Sequence, residues 1–553
     1  MRLLEFSIVL SLVDLTVGDG AAQRPLSGGG QSASNDPSAV SQDLDAYIES
    51  WMDQWHAPGL AVAIVDGDKT WAKGYGYAIL NSTPVTPHTL FYTGSTTKSF
   101  TAAGLSLLVD NATASPKLTW QTPVSSILRD DFVLSDEWAT AHVTIEDALS
   151  HRTGYPRHDL ASARTARETV RLLRHLPMTA EPRAKHQYSN KMYAAMGYLI
   201  ETVTGSWLGD FFRERLWEPM GMNETYFSLK DVEKSSLLLA NEYFYDYTSK
   251  GFYQTPHEPS SGEEGAGSII SNVLDYAKYL RVMMNDGAPL SKDGHREVKT
   301  PRSFSSMSKP PFTGPVSYAF GWNHGIFEGE QAYFHSGQVT MFVSIMIMIP
   351  LKQLAVTVMS NTESYAPELI AYHILYEHFG VPVEKRQDLN AQSRYKRNRE
   401  AQQKYLESCG EHIYPSVPEP PLLPTLPISE HIGKYHDPGY GTLEVELYCP
   451  DSNAESRGSQ GRSIEKCQLR VHGIAGVSFQ YLNPTVYLEP KSGNYWVARA
   501  YFEVVAAREI ETPFWCLRAA FKVGADARIT DFGLDVRMEG NDGPLVWFAR
   551  VDD

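Results

Sequence analysis

The segment Phe91-Tyr-Thr-Gly-Ser-Thr-Thr-Lys98 places a serine, Ser95, three residues before a lysine, Lys98. Small residues and leucines follow over Phe100 to Val109 and predict a helix that continues from this segment. Residues three apart on a helix share one face, so we expect the hydroxyl and the amine to meet. Because a serine hydroxyl needs a neighbouring base to become a nucleophile, the segment predicts an acyl-transfer site built on Ser95.

Two further patches lie downstream. Tyr188-Ser189-Asn190 directly precedes a predicted helix over Lys191 to Thr204, and His335-Ser336-Gly337 precedes the apolar strand pattern of Phe342 to Pro350. The three patches together supply a hydroxyl, an amine and a phenol. The sequence therefore predicts that they converge in one cleft.

The Ser-x-x-Lys pattern has little specificity by itself, because it occurs four times in the chain. Ser306 lies in a polar loop, and Ser393 and Ser463 lie in charged segments. Only Ser95 opens an apolar helix, and this context selects it as the candidate nucleophile.

The overall charge excludes one class of partner. The formal net charge is -16 and the sequence pI is about 5.5, whereas nucleic-acid binding depends on clustered Lys and Arg. No internal stretch has eighteen or more uninterrupted apolar residues, so no stable membrane span is expected. The expected partner is a small molecule or a short peptide, and the sequence leaves the oligomeric state open.

The N-terminus resembles a secretory signal, with Arg2 followed by the apolar run Phe6 to Val13 and then small residues. Three Asn-x-Ser/Thr sequons, at Asn81, Asn111 and Asn223, would suit a glycosylated protein. These features favour a secreted protein, with a cytoplasmic location as the alternative.

The four cysteines all lie in the last third of the chain, and none shows Cys-x-x-Cys spacing. The spacing therefore predicts no zinc site. Cys449 and Cys467 flank a polar run and could form a bridge in an oxidising compartment. Free buried thiols are the alternative.

Composition divides the chain into five segments. Residues rich in Gly, Ser, Ala and Pro precede the first helical pattern, which begins near Leu44, and a charged and then proline-rich stretch separates two folded regions. The predicted segments are a signal peptide at 1–22, a disordered lead-in at 23–42, a catalytic domain at 43–385, a linker at 386–427 and a β domain at 428–553.

The predicted fold class of residues 43–385 is α/β, of the α+β kind. Strand patterns at both ends of this region, with helices between them, predict an antiparallel sheet built from the two termini of the domain and flanked by helices, plus a helical subdomain. Short strand patterns separated by turn residues in 428–553 predict a small all-β barrel or sandwich.

In these residues the chain resembles the serine β-lactamase and D-alanyl-D-alanine carboxypeptidase superfamily, in its class C, D-aminopeptidase and esterase branch. The resemblance covers roughly residues 43–380 and implies the β-lactamase/transpeptidase-like fold. A weaker resemblance, carried by Gly433-Lys-Tyr435 and Tyr440-Gly-Thr-Leu443, links the tail to a β domain appended to many such enzymes. The catalytic-domain segments that carry the resemblance are Phe91 to Lys98, Val143 to Gly154, Gln187 to Asn190, Gly265 to Ser271 with Asp275, Tyr318 to Trp322, and Phe334 to Gly337.

The resemblance implies a role for each residue of the first two patches. Ser95 would attack a carbonyl and become acylated, and Lys98 would act beside it as a base or proton relay. Tyr188 would pass the proton to the leaving group, and Asn190 would orient the amide of the substrate. Lysine and tyrosine are both poor bases at their ordinary pKa values, so both must be perturbed, and the sequence leaves open which one is the resting base.

The third patch is expected to form the strand beside the serine, with His335 and Gly337 at the substrate. The resemblance also implies an oxyanion hole made by the backbone N–H groups of Ser95 and Gln338. No cofactor and no metal are implied. His151 and His158 are expected to have structural roles.

His335 stands where the antibiotic-hydrolysing members usually have Lys-Thr-Gly, and we expect a histidine to be only partly charged near neutrality. This favours the esterase and D-aminopeptidase members and predicts poor turnover of penicillins. The chain has neither a Gly-x-Ser-x-Gly elbow nor a His-Glu-x-x-His motif, so neither an α/β-hydrolase nor a zinc protease is supported.

The first functional hypothesis is a serine hydrolase that cleaves an ester or amide, including peptides that contain D-amino acids, through an acyl-serine intermediate. The alternatives are an acyltransferase on the same scaffold, a β-lactamase or penicillin-binding activity, and a non-catalytic relative that binds a ligand.

Overall fold

The computed structural model describes residues 37–111, 116–161, 163–246, 249–257, 259–387, 404–449, 467–473, 484–504, 508–509, 515–536, 538 and 544–551. The predicted signal peptide, residues 23–36 of the predicted lead-in and residues 388–403 of the predicted linker lie outside the described residues.

A nine-stranded antiparallel sheet forms the centre of the first region described. Its strand order is β3-β2-β1-β13-β12-β11-β10-β9-β8, so strands from the two ends of the region meet at β1 and β13. This confirms the predicted α+β fold with a sheet built from both termini. The strands of this region are β1 Gly59–Asp66, β2 Lys69–Ile79, β3 Thr83–Pro84, β4 Phe91–Tyr92, β5 Glu242–Asp246, β6 Gly251–Thr255, β7 Ile270–Ser271, β8 Ser303–Ser306, β9 Thr313–Tyr318, β10 Asn323–Phe327, β11 Glu330–Val339, β12 Phe342–Ile349 and β13 Leu354–Ser360.

Both faces of the sheet are covered, which explains why its central strands are apolar on both sides. Ile345 and Ile347 point to the face that the first and last helices cover, whereas Met346 and Met348 belong to the larger core on the other face. The helices are α1 Pro37–Trp55, α2 Thr97–Asp110, α3 Val124–Leu128, α4 Glu137–His142, α5 Ile145–Leu149, α6 Ala166–Leu172, α7 Asn190–Thr204, α8 Leu208–Phe212, α9 Glu218–Met220, α10 Leu229–Glu233, α11 Glu264–Gly267, α12 Val273–Met284, α13 Lys292–Lys299 and α14 Ala366–His378.

Helix α1 begins at Pro37, seven residues before the predicted start at Leu44. Its first turns carry the polar sequence Pro-Ser-Ala-Val-Ser-Gln-Asp, in which no apolar periodicity marks a helix. The helix therefore includes residues 37–42, which the sequence places in the disordered lead-in.

The C-terminal region is a barrel and not a sandwich. Eight of its described strands close a ring in the order β17-β16-β15-β14-β22-β21-β20-β18, because β18 pairs with β17 as well as with β20. Its described strands are β14 Gly433–Asp437, β15 Gly441–Tyr448, β16 Gln468–His472, β17 Pro484–Ser492, β18 Tyr495–Val504, β19 Arg508–Glu509, β20 Trp515–Val523, β21 Ile529–Leu534 and β22 Val546–Val551.

All four cysteines form disulfide bonds. Cys449 pairs with Cys467, so the structure contains the predicted bridge and not the free thiols given as its alternative. Cys409 pairs with Cys516 and joins the helix at residues 404–413 to β20.

The barrel contacts the first region at a turn near the candidate site. The backbone N–H of Arg157 donates to the carbonyl of Met538 over 3.3 Å. The ring of His158 is buried, with Nε2 2.9 Å from the carbonyl of Pro177 and Nδ1 2.5 Å from the hydroxyl of Tyr440. Since Nε2 must donate to the carbonyl, Nδ1 accepts from the Tyr440 hydroxyl. His158 is thus a structural contact between the two regions.

Within the part of the chain that the structure describes, no helix combines the length and the apolar character needed to cross a membrane.

Candidate active site

Ser95 lies in the single turn Gly94–Thr96 that leads into α2, and Lys98 is in the first turn of that helix. The lysine is fully buried, and its Nζ donates to Ser95 Oγ over 3.0 Å. Gly94 has φ +54, a left-handed conformation that favours glycine. The turn therefore presents the hydroxyl to the amine as the three-residue spacing predicts.

The second patch lies directly before α7. Asn190 begins this helix, and its Oδ1 accepts a hydrogen bond of 2.7 Å from Lys98 Nζ. The Tyr188 ring lies 4.8 Å from the same nitrogen, and the interaction of its hydroxyl with Ser95 acts to lower the pKa of the phenol. The structure thus brings together the hydroxyl, the amine and the phenol on which the sequence interpretation depends.

The third patch reaches the site through β11. A Cβ atom on Gly337 would lie 1.9 Å from the carbonyl oxygen of Thr93, and one on Gly94 would lie 2.5 Å from the backbone nitrogen of Gln338. No side chain fits at either position. The close approach holds the backbone of Gln338 against the turn that carries Ser95, as an oxyanion hole made of the two backbone N–H groups requires.

Lys98 is held at a pKa that suits a base. Its Nζ donates to three acceptors, which are Ser95 Oγ, Asn190 Oδ1 and the carbonyl of Ala266 at 2.9 Å. Burial lowers the pKa of this amine to about 7, with a further lowering from Arg157 and an opposing effect of the Glu263 and Asp159 carboxylates. When neutral, the amine keeps two hydrogens for Asn190 and Ala266 and can turn its lone pair to Ser95.

Tyr188 has the opposite tendency. Burial raises the pKa of its phenol, although the hydrogen bond with Ser95 and the nearby Arg157 guanidinium act against this rise. The phenol is therefore protonated near neutral pH. At rest Lys98 is the better base and Tyr188 the better proton donor, an assignment that the sequence leaves open.

His335 is neutral, and not partly charged as the sequence analysis expects. Its Nδ1 is 2.6 Å from the carbonyl of Ser336, and its Nε2 is 2.9 Å from the hydroxyl of Tyr318. Nδ1 must donate to the carbonyl, so Nε2 accepts from the phenol. Burial, followed by the charge of Lys98, lowers the pKa of His335 to about 3. The third patch therefore supplies no fixed cation.

His151 packs on the site without entering the hydrogen-bond chain of Ser95 described above. Its ring is 4.3 Å from that of Tyr188, and its Nδ1 accepts from the backbone N–H of Ser189 over 3.1 Å. Burial lowers the pKa of this imidazole well below its ordinary value. It therefore orders the turn before α7, in keeping with the structural role expected for it.

Two ion pairs, one partly exposed and one buried, border the site and were not found by sequence reasoning. Arg157 Nε is 2.5 Å from Asp159 Oδ2, and Lys191 Nζ is 2.9 Å from Glu263 Oε1. The Arg157 guanidinium lies 5.0 Å from the Tyr188 ring. The available signal was a pair of opposite charges, Arg157 and Asp159, directly after the Gly154 turn.

Among the residues that the structure describes, no group of three or more His, Cys, Asp or Glu side chains is arranged to hold a metal ion. The chemistry of the cluster is that of proton transfer between an amine, a hydroxyl and a phenol around one serine.

Comparison with known proteins agrees with this geometry. Residues 44–376 match the Beta-lactamase family. The chain is 42% identical over 424 residues to the unguisins hydrolase ungD' of Aspergillus campestris (strain IBT 28561), which covers 74% of this chain and 78% of that protein.

Two solved structures extend the comparison. The octameric penicillin-binding protein homologue from Pyrococcus abyssi has a TM-score of 0.57 and 22% identity, covering 92% of this chain and 99% of that one, and so shares the fold. The D-amino acid amidase from Ochrobactrum anthropi SV3 has a TM-score of 0.51 and 25% identity, covering 61% of this chain and 99% of that one. This chain belongs to the Beta-lactamase family of serine hydrolases.

Proposed function

We propose that the protein hydrolyses an amide bond of a small peptide through an acyl-Ser95 intermediate. The observation that carries this proposal is the Lys98 amine, 3.0 Å from Ser95 Oγ, with a pKa of about 7. An amine with this pKa is about half neutral at neutral pH and has the driving force to take a proton from the serine.

Acylation begins with attack of Ser95 Oγ on the substrate carbonyl while its proton passes to the neutral amine of Lys98. The carbonyl oxygen becomes an oxyanion, which the backbone N–H groups of Ser95 and Gln338 stabilise. The C–N bond then breaks as the Tyr188 phenol gives its proton to the leaving nitrogen. Transfer of the proton from the Lys98 ammonium to the phenolate restores both side chains, so the free amine leaves with one added proton.

Deacylation uses the same groups in the same order. A water molecule attacks the ester carbonyl of acyl-Ser95, and its proton passes to the Lys98 amine. The ester bond breaks as the Lys98 ammonium returns this proton to Ser95 Oγ, and the carboxylic product leaves. The proton chain is therefore balanced over the cycle without a metal or cofactor.

The substrate class is proposed from the relatives. An unguisins hydrolase is 42% identical, and a D-amino acid amidase shares the fold of the catalytic region. Unguisins are therefore the first substrates to test, followed by amides of D-amino acids. The hydrolase name of the relative favours water over an alcohol or amine as the acyl acceptor. The neutral His335 supports poor turnover of penicillins, because it offers no cation to their carboxylate.

The test combines labelling with product analysis. The protein is incubated with a fluorophosphonate, and its intact mass and peptide map are measured; separately, unguisins and D-amino-acid amides are analysed by liquid chromatography and mass spectrometry. We expect one adduct, on Ser95, and, from each substrate that is turned over, hydrolysis products whose masses together equal that of the substrate plus one water. Ser95→Ala should lose both, whereas Ser306→Ala, at another Ser-x-x-Lys sequence, should keep both. An adduct on another residue would refute the proposal.

We further propose that the protein is secreted. Two disulfides account for all four cysteines, which suits an oxidising compartment. The three sequon residues Asn81, Asn111 and Asn223 are all exposed. Expression in a eukaryotic host should yield extracellular protein that loses mass on treatment with an N-glycosidase and has no titratable thiol before reduction. Intracellular protein with free thiols would contradict this location.

A further inference from the structure

The Asn190 amide lies between Lys98 and Asp159 and has only one orientation that satisfies both. Its Oδ1 accepts from Lys98 Nζ over 2.7 Å, and its Nδ2 donates to Asp159 Oδ1 over 3.2 Å. If the amide were turned over, its NH₂ group would face the lysine hydrogens and its oxygen would face a carboxylate. The carboxylate of Asp159 therefore fixes which end of the amide faces Lys98.

The second oxygen of the same carboxylate holds a cation. Asp159 Oδ2 accepts from Arg157 Nε over 2.5 Å, and the guanidinium lies 5.0 Å from the Tyr188 ring. The side chain of Asp159 is only 15% exposed. The Asp159 carboxylate thus contacts Asn190, the partner of Lys98, on one side. On its other side it contacts Arg157, which lies beside Tyr188.

We propose that Asp159 is the positioning residue of this site, which holds Asn190 so that its oxygen faces Lys98 and holds the Arg157 guanidinium beside Tyr188. The proposal rests on the acyl-Ser95 mechanism proposed above. It adds the Asp159–Arg157 pair, which aligns and polarises the two proton carriers, Lys98 and Tyr188. Neither residue of the pair is assigned a contact with the reacting atoms.

Several elements bring ionisable groups to Lys98, and the effect of the pair must be separated from theirs. Glu263 is already paired with Lys191, and both imidazoles that face the amine are held neutral by burial. Arg157 and Asp159 are therefore the charged pair whose removal changes the local field most simply. The groups around Lys98 are Tyr188 and Tyr193 of the α7 segment, Glu263 before α11, His151 after α5, His335 of β11, and Arg157 with Asp159.

The two partners act on Lys98 with opposite sign. Arg157 lowers the pKa of the amine and Asp159 raises it, and the same holds for the Tyr188 phenol. Since the neutral amine is the active base, the rate falls on the acid side where Lys98 gains a proton. Removing the Asp159 charge should move this acid limb to lower pH, and removing the Arg157 charge should move it to higher pH.

The experiment measures the rate of fluorophosphonate labelling of Ser95 from about pH 5 to about pH 10 in the full chain. The variants are Asp159→Asn, Arg157→Gln and Arg157→Lys. At about pH 6, as a fraction of each variant's own maximum, labelling should rise about threefold or more in Asp159→Asn and fall about threefold or more in Arg157→Gln. Arg157→Lys keeps the charge and should return the limb towards the wild-type position. The maximum itself should fall about tenfold to a hundredfold in Asp159→Asn, because a neutral amide with one acceptor oxygen cannot hold both Asn190 and Arg157 as the carboxylate does.

A matched control lies elsewhere in the fold. Asp131 is 14% exposed and accepts from Arg167 Nε and from the hydroxyl of Tyr198, so it matches Asp159 in side-chain exposure and in being paired with an arginine. Asp131→Asn and Arg167→Gln should leave the limb in place. A structural loss would lower all rates without moving the limb in opposite directions.

Each outcome decides a different question. If the wild-type protein shows no adduct on Ser95, the proposed function fails. If Ser95 is labelled but the two substitutions leave the limb unchanged, or move it the same way, the positioning role of Asp159 is wrong. Should Asp159→Asn lose its cooperative thermal transition, Arg157→Gln alone decides by the direction in which it moves the limb.

Discussion

Lys98 and His335 are two buried basic side chains in one site, and they behave differently near neutral pH because a similar lowering of the pKa starts from different ordinary values, 10.5 and 6.5. Lys98 is surrounded by three hydrogen-bond acceptors and lies near the carboxylates of Glu263 and Asp159. His335 has a phenol donor, Tyr318, on its free nitrogen and the Lys98 cation nearby. Burial lowers both pKa values, to about 7 and about 3 respectively.

The comparison teaches that burial alone does not make a base. The Glu263 and Asp159 carboxylates oppose the lowering, and from an ordinary value of 10.5 the pKa of Lys98 reaches about 7, where the amine can take and return a proton. A donor on Nε2 and a neighbouring positive charge stabilise the neutral form of His335. From an ordinary value of 6.5 its pKa falls to about 3, so His335 does not exchange protons near neutral pH.

The largest expected effect is that of Lys98→Met on Ser95 acylation. The substitution keeps an apolar stem but removes the proton acceptor, so the labelling rate should fall by about a hundredfold to ten-thousandfold. Fluorophosphonate labelling followed by intact mass measures it. Lys73→Met is the control, because this exposed lysine is paired with Asp45 away from the site. Wild-type rates in Lys98→Met would mean that another group is the base.

A pH profile should show which of the two side chains titrates. Because the neutral amine is the base, acylation should be near its maximum above about pH 8 and should fall about tenfold per unit below the Lys98 pKa of about 7. The limb should be absent in Lys98→Met and unchanged in His335→Gln. If His335→Gln moved the acid limb of the profile, His335 and not Lys98 would be the group that titrates near neutral pH.

The free energy of unfolding should also depend on pH through the lowered pKa of Lys98. The unfolded chain keeps the lysine proton up to about pH 10.4, whereas the folded chain releases it near 7. The unfolded state therefore binds more protons between these values, and the folded state gains stability as pH rises through this window. Relative to Lys98→Met, the wild-type free energy of unfolding should increase by about 1 kcal/mol per pH unit there.

Chemical denaturation at a series of pH values measures this difference. Lys73→Met reports the effect of losing a surface lysine. A difference between wild type and Lys98→Met that does not change with pH would mean that Lys98 keeps its proton in the folded state.

The smallest effect is expected for His335→Gln. Glutamine can still accept from the Tyr318 hydroxyl and removes no charge, because the imidazole is neutral above about pH 3. The acylation rate should fall less than about tenfold, because the substitution disturbs only hydrogen bonds between neutral groups. Steady-state hydrolysis of an amide substrate measures it, with Tyr318→Phe as the companion that removes the donor. A hundredfold loss would give His335 a direct part in proton transfer.

The predicted elements that matched best were those with strong local signals. The apolar residues of Val273 to Met284 repeat at helical spacing and predict a helix over this stretch. Helix α12 has these bounds, and Asn272 caps it by accepting from the N–H of Asp275. The sequence also predicts a strand over Gly441 to Tyr448, and strand β15 has these bounds. Ser95, Lys98, Tyr188 and Asn190 meet because each patch lies at the start of a helix, where a short motif fixes direction.

The features that were missed depend on distant partners. The strand patterns in residues 428–553 predict six strands, the first beginning at Gly441, and they leave out β14 and β21. The polar residues of these two strands have a clear role only beside their neighbours in a closed ring. The Cys409–Cys516 bridge joins residues separated by 107 positions, and no local spacing indicates it. Arg157 and Asp159 read as ordinary surface charges until the fold places them against Tyr188 and Asn190.

The hydrogen bonds between the barrel and the residues Arg157 and His158 make the catalytic region depend on the barrel, so we expect the two regions to evolve together. A descendant that lost its last 120 or so residues would lose the hydroxyl of Tyr440 and the carbonyl of Met538 at once. Without new contacts for the turn that carries Arg157 and His158, Asp159 would lose its alignment with Asn190. Domain loss in this lineage should therefore be accompanied by substitutions around residue 157.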